Sequence, residues 1–363
     1  MNPSDPKGRV TLRDIARKLG VSHTTVSRAL QDAPRFSKEL RERVRTTAAE
    51  MGYRPDPMLS ALQQYRRSRS QLPVTAALAW INQWPDPKQL RSYHEFDLYW
   101  KGAAQEAERS GFRLDEFIIN QELSPARVEK ILLTRNIRGI LIPPRGNATL
   151  NWEGFHWENF CVVRFGHSVQ NPRTHLVTSD QVTDGMIAVE NIWKKGYRRI
   201  GLVISDRAHT RFSAGYFFRQ RVWPAEQRIP ALELPELDTA GEVAHLRAWL
   251  EQHQPDAILT DLKSVPAWLK QLGYRVPRDI GLATLSVLDG GIDAGIDQNS
   301  AEIGRAAVQL LISLINHNEC GIPKICRELL VEGSWVDGKT LPVKRAQPEA
   351  TQGYPCEQGV QGL

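Results

Sequence analysis

The chain has 363 residues, 41% hydrophobic and 24% charged, with 26 Gly, 22 Pro and 4 Cys, which is room for roughly two to three domains with real cores. These proportions exclude a collagen-like, disulfide-scaffold or wholly disordered protein, and no apolar run approaches the roughly 18–20 residues that cross a bilayer. Charge is uneven: residues 1–70 carry 15 Lys and Arg against 7 Asp and Glu, a net +8, and the remaining 293 residues carry 32 against 34, a net −2. A small basic module on a near-neutral body is the electrostatic footprint of nucleic-acid binding.

Met1 to Arg9 holds Pro3, Asp5 and Pro6 where a secretion signal carries its apolar stretch, which predicts a cytoplasmic chain with no membrane segment. Leu12, Ile15, Ala16 and Leu19 then fall at i, i+3, i+4 and i+7, one apolar stripe of a helix over 11–20. Thr11 and Asp14 have capping-box spacing at its start, and Gly20 is its stop. Ser22 caps a second helix ending near Leu30, with Val26, Ala29 and Leu30 inward and His23, Thr24, Ser27 and Arg28 outward. Ser37 caps a third, whose seam is Leu40, Val44, Ala48 and Met51. Two helices joined by a short turn containing Gly form a helix-turn-helix, whose second helix enters the major groove by its N-terminal part. His23, Thr24 and Arg28 then meet base edges, Arg being the best donor to guanine, while the hydroxyls of Thr11, Ser22, Thr25 and Ser27 hold phosphates. A generic three-helix bundle with a polar face is the plainer alternative on spacing alone.

The run from Val10 to Leu30, V-T-L-R-D-I-A-R-K-L-G-V-S-H-T-T-V-S-R-A-L, continues through Phe36-Ser37 to Glu50-Met51-Gly52-Tyr53-Arg54-Pro55. It resembles the headpiece of the lactose-repressor family of bacterial transcription regulators, matching T-x-x-D-(V/I)-A-x-x-(A/L)-G-V-S-x-x-T-V-S-R-x-L almost throughout. The resemblance implies that Gln31, standing where the family usually has Asn, contacts the DNA backbone. It also implies that the segment after Pro55 is a linker folding into a short hinge helix on operator DNA, with Leu62 wedged between base steps in the minor groove. Leu59-Ser60 departs from the family's usual Ala-Arg, leaving Arg66, Arg67 and Arg69 to supply phosphate contacts. An ordinary packing leucine between domains is the alternative for Leu62.

From Val74 onward apolar runs alternate with helical patterns. Strands are predicted over 74–81, 137–143, 160–165, 199–204, 257–260 and 280–285, and helices over 99–109, 126–135, 180–195, 241–252, 266–272 and 302–316. Such alternation argues for parallel sheets with helices on both faces, in two lobes. Gly102-Ala103 with Ala107 and Gly111-Phe112, Arg138-Gly139 through Pro144, Gly196 through Gly201, Gly273 through Gly281, and Ile303 through Ala307 resemble landmarks of the family's effector domain, which is similar to periplasmic sugar-binding proteins. In two-lobed folds a ligand sits between the lobes at the carboxyl ends of strands. That rule selects Asn82 and Trp84, Arg145 and Asn147, Arg164 and His167, Arg207, His209 and Arg211, and Asp261. The resemblance favours Arg211 and Asp261 as effector contacts and puts Ser286 where many relatives have an acidic residue. Trp80, Trp84 and Trp100 are expected near the cleft, where aromatic faces would suit a sugar ring.

There is no HExxH, GxSxG, Walker-type GxxxxGK[ST] or GxGxxG after a strand, so neither an enzyme nor a cofactor site is indicated. Asp289, Asp293 and Asp297 are separated by glycines and read as a loop without a calcium-ligand pattern, and no metal site is expected. His94 and His175 have no partner at ligand spacing. Cys161, Cys320, Cys326 and Cys356 show no CxxC spacing, which predicts neither a metal cluster nor a disulfide framework.

The expected organisation is an all-α helix-turn-helix headpiece (1–54), a hinge and linker (55–72), an α/β two-lobed periplasmic-binding-protein-like effector domain (73–337) and a disordered tail (338–363). The expected function is a ligand-responsive transcriptional regulator, a repressor binding a pseudo-palindromic operator in double-stranded DNA as a homodimer or tetramer, with a carbohydrate-like effector contacted by Trp84, Arg145, Arg211, Asp261 and Ser286. The alternative is a two-lobed small-molecule binding protein or enzyme with an incidental basic head.

Overall fold

The computed structural model describes residues 10–30, 36–53, 76–120, 123–145, 152–205, 210–234, 239–289 and 291–344. Gln31, Leu62, Asn147, Arg207, His209 and Cys356, and the whole 55–72 linker, lie outside the described residues.

The head is three helices: α1 (Leu12–Leu19), α2 (His23–Leu30) and α3 (Lys38–Glu50). The capping box forms at α1, where the Asp14 carboxylate accepts the Thr11 N–H at 2.9 Å and the Thr11 hydroxyl at 2.6 Å. Gly20 ends the helix at φ +68°, a left-handed geometry that costs a residue with a Cβ but not glycine. Ile15, Ala16, Val26, Ala29, Val44 and Ala48 close a small core among the three helices.

The body holds two six-stranded sheets. The first is ordered β2 (Phe112–Ile118), β1 (Ala76–Asn82), β3 (Gly139–Ile142), β4 (Cys161–Phe165), β5 (His175–Ser179), β11 (Glu328–Val331), all parallel. The second is ordered β7 (Leu232–Leu234), β6 (Ile200–Ser205), β8 (Ala257–Thr260), β9 (Gly281–Thr284), β10 (Gly295–Asp297), β12 (Ser334–Val336), parallel except for the last pair. The central strands are buried on both faces, which is why they read as unbroken apolar runs.

Each sheet is a filling between two helical layers. In the first lobe α5 (His94–Arg109) and α11 (Ser300–His317) pack on one face and α6 (Pro125–Thr134) on the other. In the second, α7 (Gln181–Lys194) and α8 (Thr210–Gln220) take one face, α9 (Thr239–His253) and α10 (Val265–Gln271) the other. The remaining short helix, α4 (Pro87–Ser92), follows β1. The pairs α5 with α11 and α7 with α8 approach closely at glycines. A Cβ on Gly304 would stand 2.1 Å from the Tyr99 carbonyl oxygen, and one on Gly215 2.2 Å from that of Val182.

Several expectations need correction. β2, β5, β7, β10, β11 and β12 and helices α4 and α8 were not expected, and Gly295–Asp297 is a strand instead of loop. Residues 338–344, assigned to a disordered tail, are packed onto the second lobe. Leu341 is fully buried, and the Thr340 and Lys339 N–H groups donate to Asp293. Seven residues with one apolar anchor carry no periodicity for a sequence reading to find. Trp80 is a core residue, edge-on to Trp100 at 5.4 Å and tilted against Phe165 at 5.2 Å, so neither Trp80 nor Trp100 faces a ligand as an open ring. The expectation that His175 has no partner at metal-ligand spacing is untouched by its structural role, in which Nδ1 accepts the Arg327 N–H at 3.0 Å.

The chain passes between the lobes three times, from β5 to α7, from β10 to α11 and from β11 to β12. Side chains satisfy the backbone there. Asp184, fully buried on α7, accepts the Gly333 N–H at 2.7 Å, and the Asn299 amide donates to the Glu332 carbonyl at 2.8 Å from a residue at φ +54°. The Asp180 N–H donates to the Val331 carbonyl at 2.8 Å.

Burial, helped by the like charges of Asp180 and Glu332, raises the Asp184 carboxyl from 3.8 to about 7, against the opposing Gly333 N–H. The folded protein thus keeps a proton that the unfolded chain releases, so this group's contribution is full in acid and declines as pH rises from about 4 to about 7. Asp184→Asn, which retains an oxygen for Gly333, should match the parent in denaturant melts near pH 4. Near pH 8 it should exceed the parent, on the order of 2–4 kcal/mol. Equal pH dependence in both proteins would contradict this assignment.

Candidate DNA-reading helix and effector cleft

In the head, Ser22 sits before α2 and its hydroxyl oxygen accepts the Thr25 N–H at 3.0 Å, an N-cap. The same oxygen lies 2.8 Å from the hydroxyls of both Thr24 and Thr25. The three-residue turn and this cap set the angle of α2, leaving His23, Thr24 and Arg28 exposed on one side while Val26 and Ala29 are buried on the other. Thr25 and Ser27 are half-buried flanks of that surface. Thr11 is exposed, but its N–H and its hydroxyl proton are both donated to Asp14, so in this arrangement neither is offered to a phosphate. His23, Thr24 and Arg28 thus stand exposed around the N-terminal part of one helix, in a segment of net positive charge.

In the body, strand order reverses at β1, flanked by β2 and β3, and again at β6, flanked by β7 and β8. These are the switch points where an open parallel sheet leaves a crevice at its carboxyl ends. A cavity of about 130 Å³ lies beyond the second of them, lined by Phe212, Asp261, Lys263, Thr284, Ser286 and Gln298 from the second lobe and Glu95 from the first. Small-molecule sites commonly occupy ~300–1,000 Å³, so this is the narrow end of a cleft rather than all of it.

Asp261 directly follows β8 and accepts the Ser205 N–H at 3.2 Å, joining the ends of the two switch-point strands. The Thr284 hydroxyl accepts the Ser286 N–H at 3.2 Å and donates to the Ser286 carbonyl at 3.1 Å, which turns the chain sharply after β9. The Ser286 hydroxyl is thereby aimed inward, buried and without a hydrogen-bond partner among the described residues. Gln298 donates to the Leu285 carbonyl at 2.9 Å and holds the opposite wall. Across the cleft, the His94 ring nitrogen lies 3.1 Å from the Leu288 carbonyl, and the Lys263 ammonium sits 5.5 Å over the Tyr93 ring.

The remaining expected contacts form a second, cationic group at the carboxyl ends of β3 and β4. Arg164, buried, donates to the carbonyls of Thr174 at 3.2 Å and Gly166 at 3.0 Å. Burial lowers its pKa, and so do the charges of Arg173 and of Arg211 from the other lobe, with Cys326 and Glu328 opposing. His167 is likewise held below its ordinary value by burial, then by the charges of Arg211 and Arg164, with Glu328 opposing. The Arg145 N–H donates to the Ser168 hydroxyl at 3.2 Å, and burial lowers its guanidinium pKa. Arg145 and Arg211 are not among the residues that line the cavity of Asp261 and Ser286.

Trp84 is buried with its indole N–H donated to the Pro144 carbonyl at 2.8 Å and its ring against Tyr93 and Phe96. It braces the end of β3 and offers no open ring face. Asn82 is fully buried and donates to Glu116 at 2.9 Å and the Pro87 carbonyl at 3.0 Å, a structural role. Sequence reasoning missed Glu95, Phe212, Lys263, Thr284 and Gln298. Thr284 lies one residue inside the end of the strand predicted over 280–285 and ends the observed β9; Gln298 follows a three-residue strand that leaves no pattern. Among the described residues no group of three His, Cys, Asp or Glu side chains could hold a metal.

Residues 11–56 match the family described as bacterial regulatory proteins, lacI family, and residues 189–340 match a periplasmic binding protein-like domain. The HTH-type transcriptional regulator KdgR of Bacillus subtilis is 23% identical over 341 residues, covering 87% of this chain and 94% of its own. The HTH-type transcriptional repressor CytR of Escherichia coli is 24% identical over 349 residues, 89% of this chain and 96% of its own. Among solved structures, the transcriptional regulator CelR–cellobiose complex aligns with a TM-score of 0.52 at 17% identity, covering 92% of this chain and all of that one. The Lac repressor dimer bound to operator and the anti-inducer ONPF aligns with a TM-score of 0.51 at 19% identity and the same coverage.

Ser22→Ala should remove the cap on α2 and destabilise the head by about 1 kcal/mol. Amide exchange should quicken across residues 23–30 while the body stays as protected as in the parent. Unchanged exchange in α2 would mean that the cap does not set this helix.

Proposed function

The chain belongs to the lacI family of bacterial regulatory proteins, and from that premise we propose that it is a ligand-responsive transcriptional repressor acting as a dimer on a pseudo-palindromic operator. The observation that carries this is the exposed edge of α2, with His23, Thr24 and Arg28 presented beside a capped N-terminus, in a stretch, residues 1–70, of net +8. Arg28 reads a guanine in each half-site, and Ser22, Thr25 and Ser27 fix the register on phosphates. Residues 1–54 are the DNA-binding unit and 55–72 the connector. The effector unit runs from 73 to at least Lys344, seven residues beyond the boundary first drawn, because Leu341 belongs to its core. The protein acts in the cytoplasm; no helix among the described residues is long and apolar enough to cross a membrane.

The effector is a small polyhydroxylated metabolite held at Asp261 and Ser286, with Thr284 and Gln298 shaping the wall. A carboxylate and an inward hydroxyl suit sugar hydroxyls, and Arg145 and Arg211 would pair an acidic substituent if the ligand carries one. The rival, a binding protein or enzyme with an incidental basic head, leaves unexplained why regulators align with head and body together over 341 residues.

Operator selection from random duplexes should return a two-fold symmetric site bound with steep salt dependence. Arg28→Ala should lose about 1–3 kcal/mol on that site and relax one position in each half. Recovery of no consensus, or an identical one from the variant, would overturn the recognition-helix assignment. A panel of neutral sugars and sugar acids, read by intrinsic tryptophan emission, should contain a ligand that alters operator affinity. Asp261→Ala should weaken that ligand by about 1–3 kcal/mol; full affinity in the variant would displace the cleft.

A further inference from the structure

We propose that Cys161 and Cys320 are a redox pair that closes to a reversible disulfide, a modification site on the side of the first lobe away from the cleft. The two sulfurs lie 2.7 Å apart although 159 positions separate the residues, against about 2.0 Å in a formed bond. Closure needs a shift of less than an ångström. Cys161 is the first residue of β4, at the amino end of the sheet, opposite the carboxyl ends that form the cleft. Cys320 follows α11, and its position is fixed from both sides. The Gly321 N–H donates to the Phe160 carbonyl at 2.8 Å, and the Glu319 N–H to the Leu314 carbonyl at 2.9 Å. Backbone hydrogen bonds on the neighbouring residues thus already hold the two thiols together.

The pair is chemically unequal. Cys161 is fully buried, and the hydrogen bond to Cys320, together with burial, raises its pKa and keeps its proton on. Cys320 is half-buried, and an Arg138 guanidinium nitrogen stands 3.6 Å from its sulfur while also donating to Asn318 at 2.8 Å. A cation beside an accessible sulfur is the setting in which a cysteine reacts, and the neighbouring Glu319 carboxylate is paired with Arg327. Cys320 is therefore the sulfur that meets an oxidant, and Cys161 the one that resolves it.

With a hydroperoxide as oxidant, the Cys320 thiolate attacks the distal peroxide oxygen, the O–O bond breaks, and an alkoxide or hydroxide leaves to take up a proton. The Cys161 sulfur then attacks the sulfenic sulfur, the S–S bond forms, and the hydroxyl departs with the Cys161 proton as water. Two electrons pass from the sulfur pair to the peroxide. A dithiol reductant returns them through a mixed disulfide. In a reducing compartment such a bond is transient, which makes it a sensor of peroxide and not a structural staple. Closed, it clamps the end of α11 to the start of β4 and removes freedom from the unfolded chain between them.

The test uses the full-length protein treated with hydrogen peroxide, alkylated and digested without reductant. Mass spectrometry should show the Cys161 peptide joined to the Cys320 peptide, and dithiothreitol should restore two thiols per chain. Oxidised parent should melt several degrees higher than reduced parent, and this difference should vanish in Cys320→Ser. In Cys161→Ser, or Cys161→Ala if the buried serine unfolds the lobe, a sulfenic-acid reagent should label Cys320. Linkage through Cys326 or Cys356 instead, or Cys161 and Cys320 both alkylated after peroxide has consumed the other thiols, would overturn the proposal.

Discussion

Two parallel sheets joined by three chain crossings must satisfy backbone groups at each crossing without a ladder neighbour, and here a buried carboxyl, a left-handed asparagine and a peptide bond share that task. Asp184 receives Gly333, Asn299 donates to Glu332, and Asp180 donates to Val331, so all three passages are tied to one another within a few residues. Gly333 is required at this point: a Cβ there would stand 2.6 Å from the Asp184 oxygen that its own N–H needs. The joint is therefore tight and short, while polar contacts among the described residues bridge the open side of the cleft. The ring nitrogen of His94 near Leu288 and the cation of Lys263 over Tyr93 are exposed contacts, each worth little against solvent. A stiff joint with a weakly closed mouth favours rotation of one lobe on the other over deformation within either.

This arrangement explains the double duty of Asp261. Its carboxylate finishes β6 by accepting the Ser205 N–H, and it also faces the cavity. A ligand that engages it acts on the end of a central strand, not on a loop. Of the cations, Arg164 belongs to the first lobe and Arg211 to the second, and the charge of Arg211 bears on Arg164. Whatever neutralises them favours approach of the lobes. A ligand can shift that equilibrium only by its difference in affinity for the two arrangements, and groups from both lobes at one site are what such a difference requires.

Much of this was legible in the sequence, for identifiable reasons. The head was readable because its boundaries are chemical: Thr11 with Asp14, Gly20, Ser22 and Ser37 each cap or stop a helix by a local rule. The central strands were readable because burial on both faces leaves uninterrupted apolar runs. Edge strands were not. β2 mixes Arg113, Asp115 and Glu116 into its seven residues and keeps only Phe117 buried, so neither a run nor a clean alternation survives. β10, β11 and β12 have three or four residues each, too short for any period. In the cleft, Asp261 was selected because it follows a predicted strand and Ser286 through the family resemblance, and both line the cavity. The tryptophans misled because a large aromatic near a strand end is as useful for bracing the end as for stacking on a ligand, and Trp84 braces. Proximity of Cys161 to Cys320 depends wholly on where α11 ends against β4, and residue spacing carries no trace of it.

The central claim is that the head's grip on DNA and the arrangement of the two lobes are one coupled equilibrium. Coupling is reciprocal, so operator DNA must shift the lobes if the lobes govern operator affinity. Spin labels placed on the exposed positions Lys130 in the first lobe and Lys270 in the second would report their separation by pulsed electron resonance, without knowledge of the effector. The account predicts a distance distribution that narrows or moves when the selected operator is added and does not change with a scrambled duplex. An identical distribution with operator, scrambled duplex and no DNA would contradict it.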